Sequence, residues 1–253
     1  MPFALARTAV KAARRFGYSL TPTWDAHHLS LAMHLEAIFP ALGIDCVLDV
    51  GANSGQYRRF LRERVGYEGL IVSFEPLPDL ARTLMQEAAT DPNWVVLECA
   101  LGSTNGTQTF QEMSDTQFSS FLAPDERVVN SFVRQNRPTK SIEVAVKTLD
   151  SLFPALQEKH GFSRAFLKMD TQGYDLEVIK GSKATLPDVP ALQTEASVLP
   201  IYRDMPDFRT VLDRLGAEGY ELSTVAPTNP VGTLRLIEFD CVMVRKSAAR
   251  SAS

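Results

Sequence analysis

The chain has 253 residues, 26 basic and 30 acidic side chains, and 45% hydrophobic residues, which is ordinary globular composition. The net charge of −4 gives no electrostatic case for nucleic-acid binding. No apolar run in the sequence reaches the ~18 residues that a membrane span needs. The length suits one large domain, and Cys46, Cys99 and Cys241 predict isolated buried thiols of a reducing, cytoplasmic compartment.

The N-terminal region differs from the rest of the chain. Its first 24 residues contain four basic residues and no acidic one, and the bases interrupt the apolar core that a signal peptide requires. We predict a helical extension over residues 1–45 that begins with a packed or solvated helix. A weak contact with a membrane surface or a partner is the alternative. A second apolar helix, Leu29 to Leu42, is predicted to pack on the sheet edge or cover a ligand.

A glycine turn follows the first predicted strand. Residues 47–55 read Val-Leu-Asp-Val-Gly-Ala-Asn-Ser-Gly, and a predicted helix runs from Gln56 to Val65, so the unit is strand, turn and helix. A dinucleotide motif has the spacing G-x-G-x-x-G, whereas the spacing here is D-x-G-x-x-x-G. Asp49 would repel a phosphate but suits an ammonium group, such as that of S-adenosylmethionine. The alternative is an ordinary strand end without a ligand.

The next two predicted strands add further binding candidates. Glu75 ends the strand Leu70 to Phe74, about 20 residues past the turn, where a carboxylate can accept hydrogen bonds from ribose hydroxyls. After the third strand, Trp94 to Leu97, the small residues Cys99 and Ala100 suit an apolar slot for a base.

Residues 103–147 predict a β-hairpin and loop excursion from the main sheet. Asn105-Gly106 is typical of a hairpin turn, and both Thr107 to Met113 and Ile142 to Val146 alternate as strands. Insertions on a rigid scaffold often carry function, so we predict a mobile loop over the site that governs selectivity. A solvent-facing decoration is the alternative.

The second chemical centre follows the buried strand Phe166 to Met169. Asp170 falls at the carboxyl end, where open α/β sheets bind ligands. Lys168 lies on the same side of the strand and needs an acidic partner in this apolar setting. Glu195 lies near the end of the next strand. Asp170, Lys168 and Glu195 are the predicted catalytic residues; the alternative is that Lys168 and Asp170 only satisfy each other.

Six segments in order carry a family resemblance. They are Leu48 to Asn53 with Gly55, Phe74-Glu75-Pro76, Ala100-Leu101-Gly102, Thr148-Leu149-Asp150, Leu167 to Asp170 with Gly173, and Glu177 to Gly181. Over this range the chain resembles the FkbM family of S-adenosylmethionine-dependent methyltransferases. The resemblance implies an α/β, Rossmann-like class I methyltransferase fold, with a seven-stranded, mostly parallel sheet, an antiparallel last strand and helices on both faces. It also implies methyl transfer, usually to a hydroxyl oxygen of a sugar, glycan, polyketide or related metabolite.

We predict one domain over residues 46–246, and a tail, 247–253, whose small polar residues predict disorder. The predicted cofactor-binding residues are Asp49, Gly51, Ala52, Asn53, Gly55, Glu75, Pro76, Ala100, Leu101 and Asp170. The sequence departs from the family at Gln172, where the family usually has Glu, so we expect no carboxylate role at that position.

An alcohol acceptor needs a base or a metal to take its proton, and Asp170 is the predicted base. Mg²⁺ held by Asp170 and Glu195 is the alternative, but no third ligand is evident and we predict no metal site. Two other classes of protein stay open. An NAD(P)-dependent oxidoreductase would prefer glycine at Asn53 and needs no Asp49, and a non-catalytic partner-binding module would have lost these motifs. The expected partner is a small-molecule or glycan acceptor; the oligomeric state is left open.

Overall fold

The structure is a computed structural model that describes residues 27–125, 137–228 and 234–248. The main sheet contains β1 (Cys46–Val50), β2 (Leu70–Phe74), β3 (Trp94–Leu97), β7 (Ala165–Met169), β8 (Ala191–Ser197), β9 (Tyr220–Pro227) and β10 (Glu238–Arg245). A small sheet contains β4 (Ala100–Leu101), β5 (Gly106–Met113) and β6 (Pro138–Lys147). The α-helices are α1 (His27–Leu42), α2 (Gln56–Phe60), α3 (Pro78–Ala88), α4 (Leu149–His160), α5 (Asp175–Lys180) and α6 (Phe208–Ala217), and a π-helical turn, Leu61–Val65, extends α2.

The seven strands of the main sheet lie in the order β3-β2-β1-β7-β8-β10-β9. β3, β2, β1, β7 and β8 are parallel, and β10 is inserted antiparallel between β8 and β9. This order confirms the predicted fold, including the antiparallel last strand. The first chain reversal in strand order falls between β1 and β7, the position at which open α/β sheets bind ligands.

The central strands are buried on both sides, as is usual for parallel strands covered by helices. All five residues of β1 and all five of β7 are buried. One core, containing Leu48, Leu167 and Leu192, packs under α4, α5 and α6. The other contains Val47 and Phe166 and packs under α1 and α2. The two cores hold the carboxyl ends of the strands at one common edge.

The small sheet corrects one expectation. β5 and β6 pair antiparallel, as their alternation predicts. However, β6 lies between β4 and β5 and pairs parallel with β4, so Asn105-Gly106 does not join two paired strands. Asn105 Oδ1 instead accepts hydrogen bonds from the backbone N–H of Thr148 (2.9 Å) and from Ser151 Oγ (3.0 Å) at the start of α4. The hairpin prediction was therefore wrong in its turn and correct in its strand pair.

The structure describes neither end of the chain completely. Residues 1–26, 126–136 and 249–253 lie outside the described residues, and so do the predicted basic N-terminal helix, its membrane-surface contact and part of the excursion loop. α1 packs Leu31, Leu35 and Phe39 into the core of the main sheet, which agrees with the packing predicted for the second apolar helix. Residues 246–248 form a helical turn, and Ala248 packs against the core, so predicted disorder does not extend to it. None of the helices in the described ranges has the length and apolar character for crossing a bilayer.

Candidate active site

A cavity of ≈ 620 Å³ opens at the carboxyl edge of the main sheet, a volume within the usual range for small-molecule sites. The predicted residues that line it are Gly51, Ala52, Asn53, Glu75, Pro76, Ala100, Leu101, Lys168, Asp170 and Glu195. The structure thus brings together side chains from β1, β2, β4, β7 and β8. Two predicted cofactor residues, Asp49 and Gly55, do not belong to the lining.

Asp49 lies behind the cavity wall. It is fully buried, and its β1 position is directly opposite Ser73 of β2 and Lys168 of β7. Ser73 Oγ donates a hydrogen bond to Asp49 Oδ2 (3.0 Å), and Lys168 Nζ lies 3.0 Å from Asp49 Oδ1. Both carboxylate oxygens therefore bind protein groups, so this geometry favours a supporting role over the predicted contact with an ammonium ligand.

Lys168 has the acidic partners that its sequence setting required. Its Nζ lies 3.0 Å from Asp49 and 3.6 Å from Asp170, and 5.0 Å above the Tyr57 ring. Burial alone would lower the pKa of Lys168, but the two carboxylates outweigh burial and raise it. Lys168 therefore stays protonated and cannot accept a proton from an acceptor. The prediction of an ion pair is confirmed, and a role as base is excluded by this charge state.

The backbone N–H groups of the glycine turn donate hydrogen bonds to acceptors of the protein itself. The N–H groups of Gly51 and Ala52 both donate to Phe74 O (3.1 Å each), and that of Asn53 donates to Glu75 Oε2 (2.6 Å). The N–H of Ser54 donates to Asn53 Oδ1 (2.7 Å), and that of Gly55 donates to the carbonyl of Ala52 (2.8 Å). A pyrophosphate cradle needs such N–H groups free, so this turn does not form one.

Gly51 also brings two strand ends together. Its φ is +79°, and a Cβ atom at this position would lie 2.1 Å from the carbonyl oxygen of Asp170. Only glycine permits both this conformation and this approach. The close contact places the Asp170 side chain beside the turn, which is the relation that the two sequence segments predicted.

Glu75 anchors the turn from the end of β2. Its Oε1 accepts a hydrogen bond from the backbone N–H of Leu77 (2.9 Å), while Oε2 accepts the one from Asn53. Burial raises the pKa of Glu75 to about 7, although both N–H groups oppose the shift. A carboxylate has about four acceptor positions, so two backbone bonds leave capacity for ribose hydroxyls.

Apolar residues surround the end of the cavity next to Glu75. Ala100 and Leu101 are buried there, and Phe110 and Phe121 of the excursion complete the wall with their ring centroids 4.9 Å apart. Cys99, which the sequence offered for the base slot, is buried but does not line the cavity. This end of the cavity therefore has an apolar lining.

The opposite end of the cavity is acidic. Besides Asp170 and Glu195, it contains Glu238 and Asp240 of β10, which the sequence analysis missed. β10 runs antiparallel to β8, so it begins at the edge where the parallel strands end, and Asp240 lies directly opposite Glu195. The i, i+2 spacing of two acids on a strand predicted to be antiparallel was the available signal.

Burial raises the pKa of three acidic residues at this end of the cavity. Burial, together with Asp170 and Asp240, raises the pKa of Glu238 to about 7. Burial raises the pKa of Asp240 to about 6, and burial with four neighbouring carboxylates raises that of Glu195 well above its usual range. The side chain of Asp170 is 43% exposed and borders Lys168. Asp170 is therefore a carboxylate that a ligand in the cavity can reach, beside a fixed positive charge.

Aromatic residues face the acidic end from the helices. Tyr57, Phe60 and His28 all line the cavity, and their ring centroids follow one another at 5.7 and 5.9 Å. The Tyr57 hydroxyl donates to Gln193 Oε1 (2.7 Å), and Gln193 Nε2 donates to Asp240 Oδ1 (2.9 Å). This chain of hydrogen bonds fixes the aromatic wall relative to the carboxylates.

The excursion closes over the cavity through a short 3₁₀ turn, Thr116–Phe118. Asn53 Nδ2 donates to Thr116 Oγ1 (3.1 Å), and Ser120 Oγ donates to the carbonyl of Gln172 (2.9 Å). Tyr202, from the chain after β8, donates to the carbonyl of Phe118 (2.7 Å). These contacts place part of the excursion at the site, as predicted, and leave its selectivity role a prediction.

No three His, Cys, Asp or Glu side chains within the described ranges are arranged to hold a metal ion. The space between Asp170 and Glu195, which the sequence offered for Mg²⁺, contains the side-chain amide of Gln172. Its Nε2 lies 3.2 Å from an oxygen of each carboxylate.

A seven-stranded sheet of this order, with its cavity at the carboxyl edge beside a glycine turn, is the class I methyltransferase fold. Residues 49–222 match the family described as the methyltransferase FkbM domain. The chain belongs to this family, as its sequence motifs predicted.

Known proteins similar to this chain include relatives from Sordaria araneosa and Sinorhizobium fredii. Methyltransferase sdnD of Sordaria araneosa is 25% identical over 154 residues, which cover 53% of this chain and 59% of sdnD. The 2-O-methyltransferase NoeI of Sinorhizobium fredii is 27% identical over 199 residues, covering 75% of this chain and 78% of NoeI. The crystal structure of methyltransferase FkbM from Methylobacillus flagellatus aligns with a TM-score of 0.49 at 15% identity, over 79% of this chain and 43% of that chain.

Proposed function

We propose that the protein transfers a methyl group from S-adenosylmethionine to a hydroxyl oxygen of a neutral, polyhydroxylated acceptor such as a sugar, glycan or polyketide. This proposal rests on the different chemistry of the two ends of the cavity. One end has Glu75 beside an apolar slot, and the other has the exposed Asp170 carboxylate among further acids. Membership of the methyltransferase family and the name of NoeI, a 2-O-methyltransferase, support the choice of reaction.

The residues of the first end fit S-adenosylmethionine. The remaining acceptor positions of Glu75 suit ribose hydroxyls, and Ala100, Leu101 and Phe110 suit the adenine. When bound, S-adenosylmethionine supplies the methyl group and a sulfonium leaving group. The negative charge of Asp170 favours a cationic ligand in its neighbourhood.

Asp170 is the base in this proposal. It takes the hydroxyl proton as the acceptor oxygen forms its bond to the methyl carbon and the carbon–sulfur bond breaks. Lys168 Nζ lies 3.6 Å from Asp170 Oδ2, and Lys168 stays protonated throughout the reaction. The aromatic wall and the 3₁₀ turn of the excursion exclude water and align the acceptor.

The acidic end also defines the acceptor. The carboxyl oxygens of Asp170, Glu195, Glu238 and Asp240 accept hydrogen bonds from hydroxyl groups, and the ionised members of this group repel anions. Tyr57 and Phe60 offer aromatic faces to the apolar side of a ring. We therefore expect neutral hydroxylated acceptors to outcompete phosphorylated or carboxylated analogues.

The oxidoreductase alternative has no support in the turn. Its N–H groups bind Phe74 O, Glu75, Asn53 and Ala52 O, so a pyrophosphate would find no free cradle. A cytoplasmic location stays part of the proposal and is supported by the three buried free thiols.

Calorimetric titration tests the cofactor. We expect S-adenosylmethionine and S-adenosylhomocysteine to bind and NAD to give no heat of binding. A screen of hydroxylated sugars and polyketides with methyl-labelled S-adenosylmethionine then tests the acceptor. Binding of NAD in preference to S-adenosylmethionine would overturn the proposal.

A further inference from the structure

Gln172 occupies a strained position in the loop after β7. Its φ is +53°, in the left-handed region that residues other than glycine rarely adopt. Such a conformation persists only where surrounding contacts hold it, and it is frequent at functional sites. Here the Gln172 carbonyl accepts a hydrogen bond from Ser120 Oγ of the excursion (2.9 Å).

The Gln172 side chain connects two carboxylates of the acidic end. Its Nε2 lies 3.2 Å from Asp170 Oδ1 and 3.2 Å from Glu195 Oε2. A side-chain amide has two N–H hydrogens, so each carboxylate receives one of them. Because Asp170 follows β7 and Glu195 lies in β8, this single amide ties together the ends of two neighbouring strands.

The other end of the amide is held by Tyr202. The side chain of Tyr202 is buried, and its hydroxyl hydrogen is shared between the carbonyl of Phe118 (2.7 Å) and Gln172 Oε1 (3.1 Å). Phe118 belongs to the 3₁₀ turn that covers the cavity. The orientation of the Gln172 amide is thereby linked, through Tyr202, to the position of the 3₁₀ turn.

The surroundings of Glu195 explain why a neutral donor suits this position. Glu195 faces Glu238 and Asp240 from β10, Asp170 from the end of β7 and Asp175 from α5. A further carboxylate at position 172 would add a like charge to this group, whereas an amide adds donors without charge. Lys168, the nearby cation, already binds Asp49 and borders Asp170.

We propose that Gln172 is a positioning residue, whose amide holds the Asp170 and Glu195 carboxylates in a fixed relative orientation and is itself held by Tyr202 and, through its backbone carbonyl, by Ser120. This inference rests on the proposed function, in which Asp170 is the base. It assigns no contact with the reacting atoms to Gln172 itself.

Three variants test the inference. Gln172→Met keeps the length and backbone strain but removes both donors, Gln172→Glu also adds a charge, and Tyr202→Phe releases the far end of the amide. Gln86→Met, at an exposed position on α3, is the control. Each protein is labelled with ¹³C at the glutamate carboxyls, and the Glu195 signal, assigned with Glu195→Gln, is followed against pH.

We expect the titration midpoint of Glu195 to rise in Gln172→Met, and to rise by at least about one pH unit in Gln172→Glu, because donors to the charged form are lost and like charge is added. Tyr202→Phe should give a smaller rise and the control none. If Gln172→Glu fails to fold, the other two variants decide. A Glu195 midpoint that stays at its wild-type value in folded Gln172→Met would overturn the inference.

The catalytic consequence is measured separately. With an acceptor from the screen, Gln172→Met should lower kcat by about 10²-fold, the scale of a misplaced catalytic group, with unchanged calorimetric affinity for S-adenosylmethionine. A parallel loss of that affinity would move Gln172 into the cofactor site and overturn the inference. If the wild-type protein fails to bind S-adenosylmethionine, the proposed function fails, while the Glu195 titration still decides the role of Gln172.

Discussion

At the scale of single residues, Lys168 contacts two aspartates, Asp49 and Asp170, that differ in their exposure to the cavity. Lys168 binds Asp49, which is fully buried, and borders Asp170, which is partly exposed to the cavity. A buried carboxylate with a satisfied partner is a structural group, whereas the exposed one can meet a ligand. The same ion-pair cluster thus yields one supporting residue and one candidate base.

The first prediction concerns Asp170. Asp170→Asn keeps the shape and removes the charge, so we expect turnover to fall by ~10²–10⁴-fold, the usual range for a positioned base. The affinity for S-adenosylmethionine should change much less, because the base acts as the acceptor bond weakens. Steady-state kinetics and calorimetry measure the two quantities. Asp188→Asn, at an exposed position away from the cavity, is the control, and full turnover in Asp170→Asn would remove Asp170 from the chemistry.

The second prediction concerns Glu75. Glu75→Ala should weaken S-adenosylmethionine binding by about 1–3 kcal/mol, the scale of a lost charged hydrogen-bond partner. The variant also loses the acceptor for Asn53 and Leu77, so part of the effect is structural. Asp45→Ala is a matched control, since its carboxylate likewise accepts from two backbone N–H groups, those of Ser163 and Arg164, outside the cavity. Equal losses of cofactor affinity in both variants would argue against a ribose contact.

At the scale of elements, the carboxyl ends of β1 and β7 approach each other so closely that only glycine fits at position 51. The carbonyl oxygen of Asp170 would lie 2.1 Å from a Cβ on Gly51. This close approach places the glycine turn and the loop that follows β7 on one wall of the cavity. The excursion covers the cavity through its contacts with Asn53 and Gln172.

The third prediction isolates this close approach. Gly66 has a φ of +74°, close to that of Gly51 at +79°, but a Cβ on Gly66 would meet nothing within 4 Å. Gly66→Ala should therefore cost about 1–2 kcal/mol of unfolding free energy from backbone strain alone. Gly51→Ala should cost at least about 1–3 kcal/mol more, because the clash adds to the strain. Denaturant unfolding measures both, and equal costs would show that the strand ends can separate freely.

At the scale of the whole molecule, folding concentrates carboxylates whose pKa values rise. Burial is the main cause for Glu75 and Glu238, each at about 7, and for Asp175 and Asp240, each at about 6. In the unfolded chain such groups titrate near ~4, so between about pH 4 and 7 the folded protein binds more protons. Their contribution to stability is present at low pH and is lost as pH rises through 6 to 7.

The fourth prediction follows from this sign. The ligand-free protein should melt at a higher temperature at pH 5.5 than at pH 8, by at least about 4 °C, since 1 kcal/mol corresponds to about 2–4 °C in a domain of this size. Differential scanning calorimetry measures the difference. Asp240→Asn removes one of the four groups and should reduce it. A melting temperature that rises from pH 5.5 to 8 would contradict the assigned charge states.

Much of the fold and half of the cavity followed from local sequence. The glycine turn, the apolar strands and the acids that end them are short-range patterns, and parallel strands bring their carboxyl ends to one edge whatever their order. This geometry is why Gly51, Glu75, Asp170 and Glu195 were found, together with the need of Lys168 for a partner. The methyltransferase fold and the FkbM family were predicted from the resemblance of six sequence segments, found in the family's order.

The tertiary structure decided which side chains face the cavity. Register places Asp49 beside Ser73 and Lys168, so an acid that looked available is enclosed. The antiparallel insertion of β10 brings in Glu238 and Asp240 from far along the chain. Neither result follows from a local pattern, because strand order and register are set by packing between distant segments. For the same reason only the folded chain shows that the amide of Gln172, and no carboxylate, lies between Asp170 and Glu195.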